Sequence, residues 1–353
     1  MAFHLPQFHP ITENNQWWGT GFTEWTNVAR ARPLFRGHRQ PRLPADLGYY
    51  DLRLPEARAA QADLARTFGL DVFCYWHYWF AGRRILERPV NEILASGEPN
   101  FPFFLAWANQ TWSGVWHGAP DRVLLEQTYP GEQDDRAHFA SLVSAFADDR
   151  YFKIDGRPVF YVFRPEQLPD ARRWTDRWRR LAEQAGFPGM YLLAEVSDLL
   201  GDGPRFFDVR SAGFDAGVYV RIPAARERIS ILKMRMRRKL RGGPEVYPHA
   251  RSLPQAPNSL AAQPLHPCVY PNWDNTPRSG RRGVVLEGST PEIFAAHLEE
   301  ALARTTAFRP GERLVFIKSW NEWAEGNYLE PDLEFGLEWL RQLRVLRDGF
   351  TQL

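Results

Sequence analysis

Short apolar runs rich in β-branched and aromatic residues alternate along this chain with stretches whose apolar residues recur every three or four positions. The runs Ala2–Leu5, Val72–Trp76, Phe101–Trp107, Val159–Phe163, Met190–Ala194, Ala216–Val220, Cys268–Tyr270 and Leu314–Lys318 read as buried strands. Helical periodicity lies between them, clearest at Pro55–Thr67, Asp134–Ala147, Ala171–Ala185 and Pro291–Thr305. The last of these opens with Ser289-Thr290-Pro291-Glu292, a capping residue followed by proline at the first helical position. Strands that alternate with helices predict parallel pairing through crossovers, and eight strands is the number that closes a barrel. The expected fold is therefore α/β, a single (β/α)8 TIM barrel over residues 1–353 with long loops at the C-terminal face of the strands. A doubly wound sheet is the alternative, but no Gly-x-Gly-x-x-Gly turn follows the first strand. The connection from Pro6 to Asp51 is long and rich in Trp, Gly and Arg, as functional lids are.

Composition adds three constraints. With 353 residues the chain can bury a large core, and its 14 Trp exceed what packing alone requires. Stacking on sugar faces is one use for the excess, and a Trp-rich core is the other. No apolar stretch reaches the ~18 residues of a membrane span, and no charged-then-apolar leader precedes the first strand, so a soluble cytoplasmic product is expected unless the chain is a piece of a longer one. Cys74 and Cys268 each sit in an apolar run and suit a reducing compartment. Charge is even apart from Arg221–Arg241, where nine Lys or Arg stand against one Glu in a chain whose net charge is only +2. This basic insertion, near 221–265, reads first as a solvated helix and second as a surface for peripheral contact with an anionic partner. Aromatics are not interleaved with its basic residues, so nucleic acid is not an expected partner.

The candidate chemistry gathers at the expected strand ends. Glu322 and Glu325 lie in Lys318-Ser319-Trp320-Asn321-Glu322-Trp323-Ala324-Glu325-Gly326, directly behind the eighth apolar run. Carboxylates so placed stand at the rim of a barrel, where chemistry is done. An arbitrary Glu-x-x-Glu more often caps a helix N-terminus, but Trp320, Asn321 and Trp323 crowd this pair and suit the holding of a sugar. Gln7 and His9 follow the first strand, His77 the second, Asn109, Gln110 and Trp112 the third, Arg164 the fourth, Glu195 the fifth, and Asn272, Trp273 and Asp274 the seventh. Each alone is commonly structural. Together they form a wall of amides, carboxylates, imidazoles and indoles that matches a polyhydroxylated, uncharged ligand.

These residues also carry a resemblance. His4-Leu5-Pro6-Gln7-Phe8-His9-Pro10, then Asn14-Asn15-Gln16-Trp17-Trp18-Gly19 with Gly21-Phe22-Thr23-Glu24-Trp25-Thr26-Asn27-Val28, and the late Trp320–Gly326 run with Leu329-Glu330-Pro331, resemble the WbsX-like family of bacterial surface-polysaccharide proteins. That family is labelled as glycosyltransferases of lipopolysaccharide biosynthesis and is grouped with glycoside hydrolase family 99, the endo-α-mannosidases. The resemblance implies a (β/α)8 barrel with Glu322 and Glu325 as the catalytic pair, and it brings Trp17, Trp18, Glu24 and Trp25 into the substrate-binding set. In the hydrolase family a His commonly stands between the acids; this chain has Ala324.

On a helix, positions i and i+3 hold their Cβ atoms ~5–6 Å apart, which leans toward the closer carboxyl spacing of retaining glycosidases. The resemblance implies that the sugar's own 2-hydroxyl is the nucleophile, with Glu322 as its base and Glu325 as general acid and then base. The expected activity is thus a retaining glycoside hydrolase acting on an α-linked, manno- or rhamno-configured bacterial polysaccharide or oligosaccharide. Neither a metal nor a cofactor is called for. The rival is a sugar-nucleotide glycosyltransferase, which normally offers an acidic metal pair or a phosphate cradle. Its best acidic candidates, Asp134-Asp135 and Asp148-Asp149, read as solvated helix surface. A non-catalytic carbohydrate-binding protein is a third reading, against which the two retained glutamates speak.

Overall fold

A computed structural model of the chain describes residues 1–114, 119–197, 207–225, 236 and 242–351. Eight parallel strands close into a barrel: β1 Ala2–His4, β2 Phe73–Phe80, β3 Phe103–Trp107, β4 Arg157–Val162, β5 Tyr191–Ser197, β6 Ala216–Val220, β7 Leu265–Val269 and β8 Phe316–Ile317. Each pairs with its neighbour in chain order, and β1 closes the ring with Ala2 in register with both Phe73 and Ile317. A doubly wound sheet is excluded by that closure. The barrel interior is packed with rings, Phe3 stacking on Trp76 at 4.9 Å and meeting Tyr161 and Phe316 edge-on or tilted at 5.2 and 5.7 Å. Aromatic rings fill a barrel lumen with few rotatable bonds to freeze, which accounts for part of the aromatic excess.

The largest departure from the expected elements is β2. All eight residues of Phe-Cys-Tyr-Trp-His-Tyr-Trp-Phe are buried, and the strand runs four residues beyond Trp76 into an antiparallel hairpin with Arg83–Ile85. His77 reads as a strand end because it is polar. Its ring in fact shares an Nε2–Nε2 hydrogen bond of 2.8 Å with buried His138, so the strand continues. The helices follow their sequence signals more closely: Pro55–Thr67 and Pro291–Thr305 form at the expected limits, and Thr290 Oγ1 accepts from the Ile293 amide to cap the latter.

Most Trp residues serve packing. Trp107, Trp178, Trp320, Trp323 and Trp339 are fully buried. The long connection after β1 carries two short helices, Thr12–Trp18 and Glu24–Arg30, and folds over the barrel mouth. Of the basic stretch, only residues 221–225 and 236 lie among those described. Behind it, Glu245–Pro248 pairs in parallel with Val284–Glu287 outside the barrel. No described helix is long and apolar enough to cross a membrane.

Candidate active site

A cavity of about 280 Å³ opens at the carboxyl ends of the strands, and Glu322 and Glu325 line it. They are not on an α-helix. Asn321–Glu322 pairs antiparallel with Asn327–Tyr328, and Trp323–Glu325 between them is one tight 3-10 turn. The turn folds Glu325 back toward Glu322, which precedes it at the strand end, so that the two carboxyls share a hydrogen bond. The turn ends at Gly326, whose φ of +62° is left-handed and whose absent Cβ would lie 2.8 Å from the Asp274 amide nitrogen. Only glycine meets both demands.

The two acids are held in different states. Burial is the largest influence on Glu322 and works to raise its pKa. The Lys318 ammonium, the hydrogen bond with Glu325, the Arg278 charge and the Trp76 indole, which donates at 2.8 Å, together bring it below the ordinary carboxylate value. Burial is again the largest influence on Glu325 and here it prevails; the Glu322 charge and the shared hydrogen bond add to it, and the pKa rises to about 8. A neighbouring pair of carboxyls thus holds one proton at neutral pH, on Glu325.

Two cations frame the pair. Arg278 donates Nη1 to Glu325 Oε1 and Nη2 to Glu24 Oε1, each at 2.6 Å. Glu24 sits in the first turn of its helix, its own amide bonded to the Gln7 carbonyl, and its Oε1 also accepts from the Ala324 amide at 3.1 Å. Lys318, on the far side, is buried over the rings of Phe3, Trp76 and Phe163. The peptide that joins it to Ser319 is cis.

The family model described as glycosyltransferase WbsX matches residues 1–343. The chain belongs to the WbsX family. Within it, the uncharacterized protein WxcX of Xanthomonas campestris pv. campestris strain B100 is 39% identical over 348 residues, which is 98% of this chain and 49% of the relative. The corresponding protein of strain ATCC 33913 matches equally, at 39% over 350 residues. The chain spans about half the length of the curated relatives it matches. Among solved structures, a GH99 endo-alpha-mannosidase from Bacteroides thetaiotaomicron superposes with a TM-score of 0.57 at 12% identity, covering 99% of this chain and 97% of that one. A glycoside hydrolase-like protein gives 0.58 at 14% identity, covering 92% and 99%. At such identities the likeness is one of fold.

Of the residues singled out in this WbsX-family sequence, Gln7, Trp18, Glu24, Gln110, Trp112, Arg164, Glu195 and Trp273 line the cavity with the two acids. Trp17 stands behind, its ring 6.0 Å from that of Trp112. The others are not brought to the cavity wall, and each has a structural employment. His9 is buried with Nδ1 on the Pro6 carbonyl, and Trp25 is packed on Phe8 with its indole on the Tyr50 carbonyl. His77 is occupied by His138. Asn109 bridges the ends of β3 and β4, accepting from the Arg164 amide and donating to the Arg164 carbonyl. Trp320 is fully buried against Phe73. Asn321 ties the β8 end to the β1 end through the Leu5 amide and carbonyl. Asn272 and Asp274 face a second cavity of about 250 Å³. Asp274 is buried there, accepting from His38, Gln40 and Thr276, while its amide holds the Glu325 carbonyl at 2.7 Å. It positions the acid turn.

Trp323 stacks on Tyr328 at 3.8 Å and donates its indole to Glu330 at 2.7 Å. Glu330 also accepts from Tyr50 and Gln61, and its pKa rises to about 7, chiefly through burial. An amide in its place would face those donors with one acceptor oxygen instead of two. Glu330→Gln is therefore expected to cost roughly 1–3 kcal/mol of stability, measured by chemical denaturation; an unchanged midpoint would show that the network is not needed to hold the turn.

Lys318, Arg278, Trp76 and Tyr78 also line the cavity, and the sequence did not single them out as site candidates. Lys318 and Trp76 stand at the ends of apolar runs read as strand. Arg278 lies in Thr-Pro-Arg-Ser, a segment with no local mark of chemistry. The acidic candidates of the rival reading have other partners: Asp134 accepts from the Trp79 indole, Asp135 pairs with Arg177, and Asp148 pairs with Arg150.

Proposed function

We propose that this chain is a retaining glycoside hydrolase acting on α-linked, manno- or rhamno-configured units of a bacterial surface polysaccharide. The observation that carries the reading is the Glu322–Glu325 pair, two buried carboxyls side by side on the cavity wall whose surroundings drive their proton affinities in opposite directions. Base beside acid is the arrangement that glycosyl chemistry requires. Inverting enzymes hold their carboxyls ~6.5–9.5 Å apart to admit a water, and a pair close enough to share a hydrogen bond leans toward retention. The resemblance to the endo-α-mannosidases supplies the nucleophile, the sugar's own 2-hydroxyl. Glu322 takes the 2-hydroxyl proton as that oxygen attacks C1, and Glu325 gives its proton to the departing oxygen. Glu325 then takes a proton from the water that attacks C1, and the 2-oxygen recovers its proton from Glu322.

A 2-hydroxyl that attacks from behind must lie trans to the leaving oxygen, as in α-mannose and α-rhamnose. Proton NMR of the first-formed product is expected to show the α-anomer. An initial β-anomer, or undiminished cleavage of a 2-deoxy substrate, would exclude participation.

The family's description favours a second reading, sugar transfer in polysaccharide biosynthesis. For the hydrolase, turnover is expected to survive EDTA and to need no sugar nucleotide. Micromolar binding of a nucleoside diphosphate, or activity restored only by added manganese or magnesium, would put the transferase first.

A further inference from the structure

One wall of the cavity carries an unmatched donor and an unmatched acceptor. Lys318 is 6% exposed, and its Nζ has no hydrogen-bond or ion-pair partner among the described residues. Glu195 is 2% exposed; its Oε2 accepts from the Tyr161 hydroxyl at 2.6 Å, while its buried Oε1 has no partner. The two groups are near enough to act on each other electrostatically without closing into an ion pair. Leaving buried polar groups open costs free energy unless a ligand or water completes them.

The charge balance indicates what completes them. Four acidic side chains line the cavity, Glu24, Glu195, Glu322 and Glu325, against three basic ones, Arg164, Arg278 and Lys318. Positive charge is not in excess there, as an anionic sugar would require. A hydroxyl, which both accepts and donates, is the group that suits an ammonium on one side and a carboxylate oxygen on the other. We propose that Lys318 and Glu195 form a hydroxyl-reading subsite, where one hydroxyl of a neutral sugar accepts from Lys318 Nζ and donates to Glu195 Oε1. The subsite rests on the reading of the cavity as a sugar site and makes its selectivity turn on one ring position. An analogue that lacks that hydroxyl leaves both buried groups open again, a loss no apolar contact repairs.

The test is calorimetric binding of non-hydrolysable thio-linked α-manno- and α-rhamno-disaccharides and their monodeoxy analogues. Lys318→Met and Glu195→Gln are each expected to weaken the parent disaccharide on the order of 10- to 100-fold. One monodeoxy analogue should bind the wild type that weakly and lose nothing further in either variant. Variants that bind the parent as tightly as wild type overturn the subsite alone. So do variants that weaken every analogue equally, since that marks a pair that holds only an ordered water. Wild-type protein that binds no member of the panel overturns the sugar-site reading and the subsite with it. Circular dichroism identifies a misfolded variant; should Lys318→Met not fold, Glu195→Gln and Lys318→Arg, which keeps a donor, decide the matter.

Discussion

Glu322→Gln and Glu325→Gln are each expected to lower turnover by about 10²–10⁴-fold, the usual cost of removing a positioned base or acid, with the fold retained. The two should differ in a diagnostic way. Glu325 is already protonated at neutral pH, so its amide is nearly isosteric and isoelectronic with the resting state, and ligand binding should survive intact. Glu322→Gln removes a charge that Lys318 and Arg278 balance, and a larger change in binding and stability is expected there. The wild-type rate should fall as pH rises through about 8, where Glu325 loses the proton it must donate. Residual activity in Glu325→Gln should lack that limb. Steady-state kinetics across pH with a cleavable glycoside measures all of this, and activity within a few-fold of wild type for either variant would remove the pair from the chemistry.

The barrel was legible because its strands are buried on both faces and therefore read as uninterrupted apolar runs. All eight runs became barrel strands. The error at β2 has the same root: a polar residue inside a buried strand, His77, looks like the strand's end unless its partner His138, 61 residues on, is known. The acids were visible because they follow β8 directly, and the turn that carries them was not, because a 3-10 turn, unlike an α-helix, leaves no periodic trace in three residues. Asn321 and Asp274 were noticed for their polarity, but the bonds they make in the fold were not legible. Their partners, the Leu5 backbone and His38 with Gln40, are more than 230 residues away in sequence. Lys318 was hidden for a related reason: the rings around it come from β1, β2 and the end of β4, and no local pattern announces a cage assembled from three strands.

Removing Arg278 should have the second-largest effect, and its sign with pH can be worked out. Arg278 is the only cation in hydrogen-bond contact with Glu24 and Glu325 among the described residues, and both carboxyls are buried. Breaking a buried pair from one side costs about 3–5 kcal/mol, because charge is left without compensation. In Arg278→Met the carboxyls relieve that cost by holding protons more tightly. Their folded-state pKa values, already raised by burial, must rise further above the unfolded values. A carboxyl of that kind contributes stability that is complete below its unfolded pKa and is lost as pH rises through the folded one. The destabilisation should therefore be smallest in acidic buffer and grow as pH rises through the folded-state pKa values, to its full size in alkaline buffer. Activity should show the same displacement, its alkaline limb moving upward from about 8 as Glu325 keeps its proton longer. Arg278→Lys keeps the charge without the two-armed bridge and should restore the limb's position more fully than the stability. Denaturation midpoints in acidic and alkaline buffer, set beside the pH profile of kcat/KM, test both halves. A limb unmoved in Arg278→Met would mean that the arginine holds Glu24 and the turn in place without acting on the acid.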